Sequence, residues 1–289
     1  MPLPEPLSPE SPDDPAPSKV WLITGCSSGF GHHIALAAAH SGARVLATAR
    51  NPDALAELCA AHPGRIFPFA LDVTDAAACT AVTNAAIEHF GGLDVVVANA
   101  GYGLLGSFQD TPESRFRACF ETNFFGTANT FRAAIPHLAM QRSGHLIANS
   151  AAAAITNYPG FSAYGAAKYA VEGLCESLAA ELKPLGVRVT ILQPGPFRTN
   201  FVSRSLHRDT TANPDYAATV GRFGDMLAKL DGTQPGDPAK AAAAIVLMTQ
   251  NTRPPMRMTL GKYAADKAKR MVAARTAELG VWGETPVDF

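Results

Sequence analysis

Short apolar runs alternate along the chain with longer stretches in which apolar residues recur every three or four positions. The runs fall at 20–24, 44–48, 66–71, 93–98, 145–149 and 187–192. Their brevity and nearly unbroken apolar character predict strands buried on both faces. The stretches near 30–41, 53–61, 75–90, 112–141 and 161–184 read as helices. Such alternation predicts an α/β fold, a mainly parallel sheet covered by helices on both faces. Asn51 followed by Pro52 reads as a helix N-cap with proline at the first helical position. After 193 the pattern loosens. Residues 196–235, with Pro214 and several glycines, read as irregular and outside the core. A helix at 237–249, a strand at 257–260 and a polar helix at 263–279 follow. No second domain is indicated.

Residues 1–17 are dominated by proline, serine and acids, without the basic start and apolar middle of a signal peptide. They read as a disordered tail with no catalytic role, ahead of one domain over 18–289. A chain of 289 residues that is 47% apolar can bury one sizeable core. The net charge of −1 gives no sign of nucleic-acid or anionic-membrane binding. No apolar run approaches the ~20 residues of a membrane span. The five cysteines, Cys26, Cys59, Cys79, Cys119 and Cys175, show no metal-ligand spacing. They read as reduced thiols in a cytoplasmic protein.

Two local patterns carry chemistry. The first strand runs into Thr24-Gly25-Cys26-Ser27-Ser28-Gly29-Phe30-Gly31, ahead of an alanine-rich helix. Glycines there permit a tight turn and close approach of a pyrophosphate, and the helix N-terminus offers free N–H groups to phosphates. The second pattern is Tyr164 and Lys168, four apart in a helical stretch and therefore on one face. A nearby ammonium favours the phenolate, so the tyrosine pKa is expected to fall below about 10, towards proton exchange near neutral pH.

These residues, with Leu71-Asp72-Val73, Asn99-Ala100-Gly101, Asn123, and Pro194-Gly195 with Thr199, occur in the order found in the short-chain dehydrogenase/reductase family. The chain resembles that family over most of residues 19–260. The resemblance implies a single, doubly wound Rossmann domain, a nicotinamide cofactor, and hydride transfer to or from a carbonyl or alcohol. It implies Tyr164 as general acid in reduction and base in oxidation, with Lys168 lowering its pKa and holding the nicotinamide ribose. Asn123 matches the asparagine that supports a water on the lysine; the competing reading is a helix-kink asparagine. Gly25, Gly29, Phe30 and Gly31 belong to the phosphate turn. Asp72 and Val73 match an adenine contact, though Asp72 also reads as a cap for the helix at 75–90. Asn99, Ala100 and Gly101 match the adenosine side, and Pro194, Gly195, Phe197 and Thr199 the nicotinamide side. Arg50, ending the second strand, stands where NAD-preferring enzymes usually place an acid, and a guanidinium suits a 2′-phosphate. The resemblance therefore implies NADP(H), with Ser27 and Ser28 as helpers. Asp53 is the rival acid, and equally complements a helix dipole.

One family position departs. The catalytic serine is expected thirteen residues before the tyrosine, where this chain has Ala151. Ser150 precedes it, and neighbouring strand residues face opposite sides. Three accounts stand open: alanine engineered into an otherwise ordinary enzyme of reduced activity, natural use of Ser150 or another donor, or a non-redox isomerase, cyclisation catalyst or binding protein. Leu104, Leu105, Phe108, Ile155, Tyr158, Phe161, Phe197, Phe201 and Met226 point to a lipophilic ketone or alcohol, with ordinary core packing as the alternative. Arg204 and His207 fall in the same loose segment, which reads as a substrate lid. The family implies a homodimer or homotetramer, for which Phe116, Phe120 and Leu174 are candidate contacts.

Overall fold

The computed structural model describes residues 18–208 and 213–282. The tail expected over 1–17 lies outside the described residues. In chain order come β1 (Val20–Ile23), α1 (Gly29–His40), β2 (Arg44–Ala49), α2 (Ala56–Ala61), β3 (Ile66–Ala70) and α3 (Ala76–Phe90). Next are β4 (Val95–Ala98), β5 (Gly103–Leu105), α4 (Glu113–Phe120), α5 (Gly126–Gln141), β6 (Gly144–Asn149) and α6 (Ser162–Leu182). The chain continues with β7 (Val187–Pro194), β8 (Leu206–Arg208), α7 (Arg222–Leu230), α8 (Pro238–Gln250), β9 (Arg257–Leu260) and α9 (Lys262–Trp282). No described helix is long and apolar enough to cross a membrane.

Seven strands form one parallel sheet in the order β3-β2-β1-β4-β6-β7-β9. This is a Rossmann-like single domain. The order reverses between β1 and β4, and in such sheets the crevice beyond the carboxyl ends at that point takes ligands. Strand alternation divides the core. Trp21 and Ile23 pack with Ile34, Leu58 and Ile245 on the face covered by α1, α2 and α8. Val20 and Leu22 pack with Val82, Phe131 and Val171 on the face covered by α3, α5 and α6.

Caps fix several helix starts. Asn51 Oδ1 accepts from the Asp53 N–H at 3.0 Å, with Pro52 next in a short 3-10 turn that precedes α2. Asp75 caps α3 by accepting from the N–H groups of Ala77 and Ala78. Asp72 therefore does not cap that helix; its carboxylate closes a turn on Thr74 instead.

Two features differ from the expectation. The helix expected over 112–141 is two helices joined by a π-helical turn, Glu121–Phe125, which inserts an extra residue and carries Asn123. The described parts of the segment, 196–208 and 213–235, are more regular than its composition suggests. It contributes β8, which pairs in parallel with β5, and α7. Residues Leu206, Phe201, Phe223 and Leu227 from this segment pack with Phe161 and Tyr164 in a satellite core. Non-local contact overrides weak periodicity here.

Candidate active site

The end of β1 builds a backbone cradle. Thr24 Oγ1 accepts from the N–H groups of Asn99 and Ala100, both at 3.0 Å, which joins the ends of β1 and β4. Gly25 and Gly29 have φ of +71° and +62°, in the left-handed region that favours glycine. A Cβ on Gly31 would lie 2.5 Å from both Asn99 Nδ2 and the Gly25 carbonyl oxygen, so the third glycine is a matter of space. Ser28 precedes α1 without a side-chain capping bond, leaving the first-turn N–H groups available to a ligand.

Ser27, Ser28, Gly29 and Phe30 line a cleft of about 1110 Å³ along the carboxyl ends of the strands. The other walls contain Arg50 after β2, Asp72 and Val73 after β3, Asn99, Ala100 and Gly101 after β4, and Pro194, Gly195, Phe197 and Thr199 after β7. All expected cofactor residues except Gly31, which lies beneath the turn, therefore meet in one cavity. Arg50 is exposed at the rim. The Asp72 carboxylate is held below its ordinary range by its bonds to Thr74, with a smaller contribution from Arg50. The Phe197 ring packs edge-on against Phe30, centroids 5.0 Å apart.

Tyr164 and Lys168 lie on the α6 face that meets the cleft floor, 7% and 4% exposed. The Lys168 ammonium donates to the Asn149 carbonyl oxygen at 2.7 Å. Asn123 Nδ2 donates to the carbonyl oxygens of Tyr102 and Cys119, both at 2.9 Å, while its Oδ1 is buried without a partner. A Cβ on Gly101 would stand 2.5 Å from that oxygen and 3.4 Å from Lys168 Nζ. The orphan acceptor and the ammonium thus both flank the backbone at Gly101. Asn149 Oδ1 is also buried and unpartnered, while its Nδ2 donates to Asn99 Oδ1 at 2.9 Å.

The expected fall in the tyrosine pKa is not what this arrangement gives. Burial pushes the Tyr164 phenol above 10, with Cys119 adding to it. Burial also pushes Lys168 down, to about 8. Desolvation dominates both shifts. Cys26 is buried in the turn with its thiol pushed up to about 12 by desolvation, which makes it inert as a nucleophile.

Residues 19–210 match the short chain dehydrogenase family. This chain belongs to that family of oxidoreductases. Among its curated relatives, oxidoreductase BOA17 of Botryotinia fuckeliana is 37% identical over 268 residues, 92% of this chain and 97% of that protein. The 3-ketodihydrosphingosine reductase of Bacteroides thetaiotaomicron is 32% identical over 244 residues, 84% and 88% of the two chains. A short-chain dehydrogenase structure from Streptomyces avermitilis superposes with a TM-score of 0.88 at 41% identity, covering 94% of this chain and 100% of that one.

For a short-chain dehydrogenase, the wall beside Tyr164 is unusual. Ala151 is extended (φ −163°, ψ 160°) and its methyl lines the cleft. Ser150 gives its hydroxyl to Glu172 Oε1 at 2.9 Å, 2% exposed. Ser150 also borders the cleft, but its hydroxyl is engaged by Glu172.

The far end of the cleft is apolar. Tyr158, Phe161, Phe201 and Met226 line it as expected, joined by Phe223 and Leu227 of α7. Leu104, Leu105 and Ile155 are instead fully packed inside, and Phe108 is 72% exposed against Phe116. Arg204 and His207 both reach the cavity wall, His207 tilted against Tyr102 with centroids 4.7 Å apart. Sequence reasoning missed Tyr263 of α9, whose hydroxyl meets that of Tyr158 at 2.8 Å, and Lys267, whose Nζ sits 3.3 Å from the Tyr158 ring centroid. Tyr158 also stacks on Phe223 at 5.0 Å, so it links α7 to α9.

Proposed function

We propose that this short-chain dehydrogenase uses NADP(H) to interconvert a lipophilic ketone and its alcohol. The observation that carries the reading is the buried Tyr164–Lys168 pair at the floor of a cleft whose other end is the glycine cradle. Gly25, Ser27, Ser28 and Gly29 would hold the pyrophosphate, and Asp72, Val73 and Asn99 to Gly101 the adenosine. Pro194 to Thr199 would border the nicotinamide, and Lys168 its ribose. Arg50 at the rim supports the phosphorylated form, because the nearest lining acid, Asp72, already spends its carboxylate on Thr74.

When bound, the cofactor supplies or accepts the hydride. The chain supplies the proton. The buried Tyr164 phenol carries its proton at pH 7 and would donate it to a carbonyl oxygen in reduction. Lys168, held by Asn149, orients and supports that hydroxyl. Asn123 Oδ1 would carry a water that feeds the proton path. The apolar far wall and the ketone in the name of the Bacteroides relative support a lipophilic ketone. Residues 196–235 act as the lid, and α4 and α6, with Phe116, Phe120 and Leu174, form the contact of a homodimer or homotetramer. Titration with NADPH and NADH tests the cofactor assignment: tighter NADPH binding, lost preferentially in Arg50→Ala, is the expected result, and tighter NADH binding overturns it.

A second reading has its own observation. With Ala151 in the wall and the Ser150 hydroxyl given to Glu172, the second hydrogen bond to a carbonyl oxygen is missing. The alternative is cofactor binding with a non-redox reaction. Absence of turnover in both this chain and Ala151→Ser favours it.

A further inference from the structure

Glu172 has the same helical face as Tyr164 and Lys168, four residues beyond the lysine, yet is buried, 7% exposed. Its Oε1 accepts from Ser150 Oγ at 2.9 Å and from Gln193 Nε2 at 2.8 Å. Its Oε2 accepts from Arg257 Nε at 3.0 Å, and Arg257 also pairs with Glu176. These donors come from the end of β6, from β7 and from β9. One carboxylate on α6 thus ties the carboxyl ends of β6 and β7 to the start of the adjacent β9. A buried charge is expensive, and apolar contact alone would dock this helix, as Val171 and Cys175 already do. The charge calls for another reason, and its neighbours supply one. Ser150 lies between Asn149, whose carbonyl oxygen holds Lys168, and Ala151, which faces the substrate end.

We infer that Glu172 is a positioning residue: through Ser150 it pins the end of β6, keeping the Asn149 carbonyl oxygen on the Lys168 ammonium. This rests on the reading of Tyr164 and Lys168 as the proton-transfer pair. The hydrogen bond from Lys168 stabilises its charged form, so slack at the strand end lowers the pH at which the lysine loses its proton. Cys119 and Tyr164 are the other titratable groups facing Lys168, and Arg257, Glu176, Cys175 and Tyr169 those facing Glu172.

The test compares the full chain with Ser150→Ala, Glu172→Met and the double variant. The titration of Lys168 is followed by NMR of side-chain-labelled lysine, its signal assigned by loss in Lys168→Met. NADPH-dependent kcat/KM is measured on the same proteins. Each single variant should move the Lys168 midpoint down by about half a pH unit or more. Each should lower kcat/KM by about tenfold, with NADPH affinity little changed. The double variant should match the worse single one, because both substitutions break the same link. An unmoved Lys168 midpoint in Ser150→Ala, or single effects that simply add, would overturn the inference. If Glu172→Met does not fold, Ser150→Ala, which removes one hydroxyl, decides alone. If the unaltered chain reduces no carbonyl, the functional reading has failed, and the lysine titration still decides the positioning role.

Discussion

Lys168 Nζ lies 5.9 Å from the centroid of the Tyr164 ring, and neither residue is more than 7% exposed. Both pay for burial in pKa, in opposite directions.

Removing the phenol hydroxyl therefore isolates its chemistry. Tyr164→Phe should lower kcat by about 10²–10⁴-fold, the usual contribution of one positioned acid. NADPH affinity should stay within a few-fold. Single-turnover kinetics with direct NADPH titration checks this, and an equal loss of binding would assign Tyr164 a merely structural part.

Lys168 gives a stability prediction with a definite sign. Its folded pKa is about 8 against 10.5 unfolded. Below pH 8 both states are charged and the burial penalty is complete. Between 8 and 10.5 the unfolded chain binds more protons, so stability rises with pH. Lys168→Met should raise the Tm at pH 7, by up to about 3 kcal/mol of stability. That advantage should shrink as pH climbs past 8. Thermal melts of both proteins from pH 7 to 10 check it, and a pH-independent difference would contradict it.

Much of this site was legible because its signals are local. The glycine turn and the Tyr164–Lys168 pair each occupy fewer than ten consecutive residues, and the strand alternation placed their neighbours at one sheet edge. What was not legible depends on contacts far apart in the chain. The Tyr158–Tyr263 bond spans 105 residues, and β5 and β8 are each too short to show a period. The sign of the Tyr164 shift was missed for a related reason, since spacing reports a neighbouring charge but not the depth of burial. The helix break around Asn123 was marked only weakly, by the asparagine itself and by Gly126 just after it, because the residues flanking a π-turn keep helical dihedrals.

Ala151→Ser should restore a second donor to the carbonyl oxygen. Turnover should rise by about 10²–10³-fold, as one oxyanion donor commonly contributes. Cofactor affinity should not change. Steady-state rates on one shared ketone panel check this, and unchanged turnover would mean that another group already fills the role.

Arg50→Ala should weaken NADPH by about 10–100-fold, the value of a charge-assisted contact, and leave NADH within a few-fold. Fluorescence titration of both cofactors checks it. A parallel loss of both would place Arg50 away from the ribose phosphate.

The lid should respond to ligand. Amide exchange over 196–208 and 213–235 should slow when NADPH and a ketone are both present, most at Phe201 and at Phe223 of α7, which line the cleft. Equal, strong protection with and without ligand would make the segment part of the fixed wall.

Carbonyl reduction with NADPH should depend on the Tyr164 hydroxyl. Its most direct measurement is the loss of NADPH absorbance with a panel of lipophilic ketones, run on this chain, on Ala151→Ser and on Tyr164→Phe combined with Ala151→Ser. Turnover should be slow in the first, faster in the second and nearly abolished in the third. NADPH consumption that survives the loss of the Tyr164 hydroxyl undiminished would contradict it.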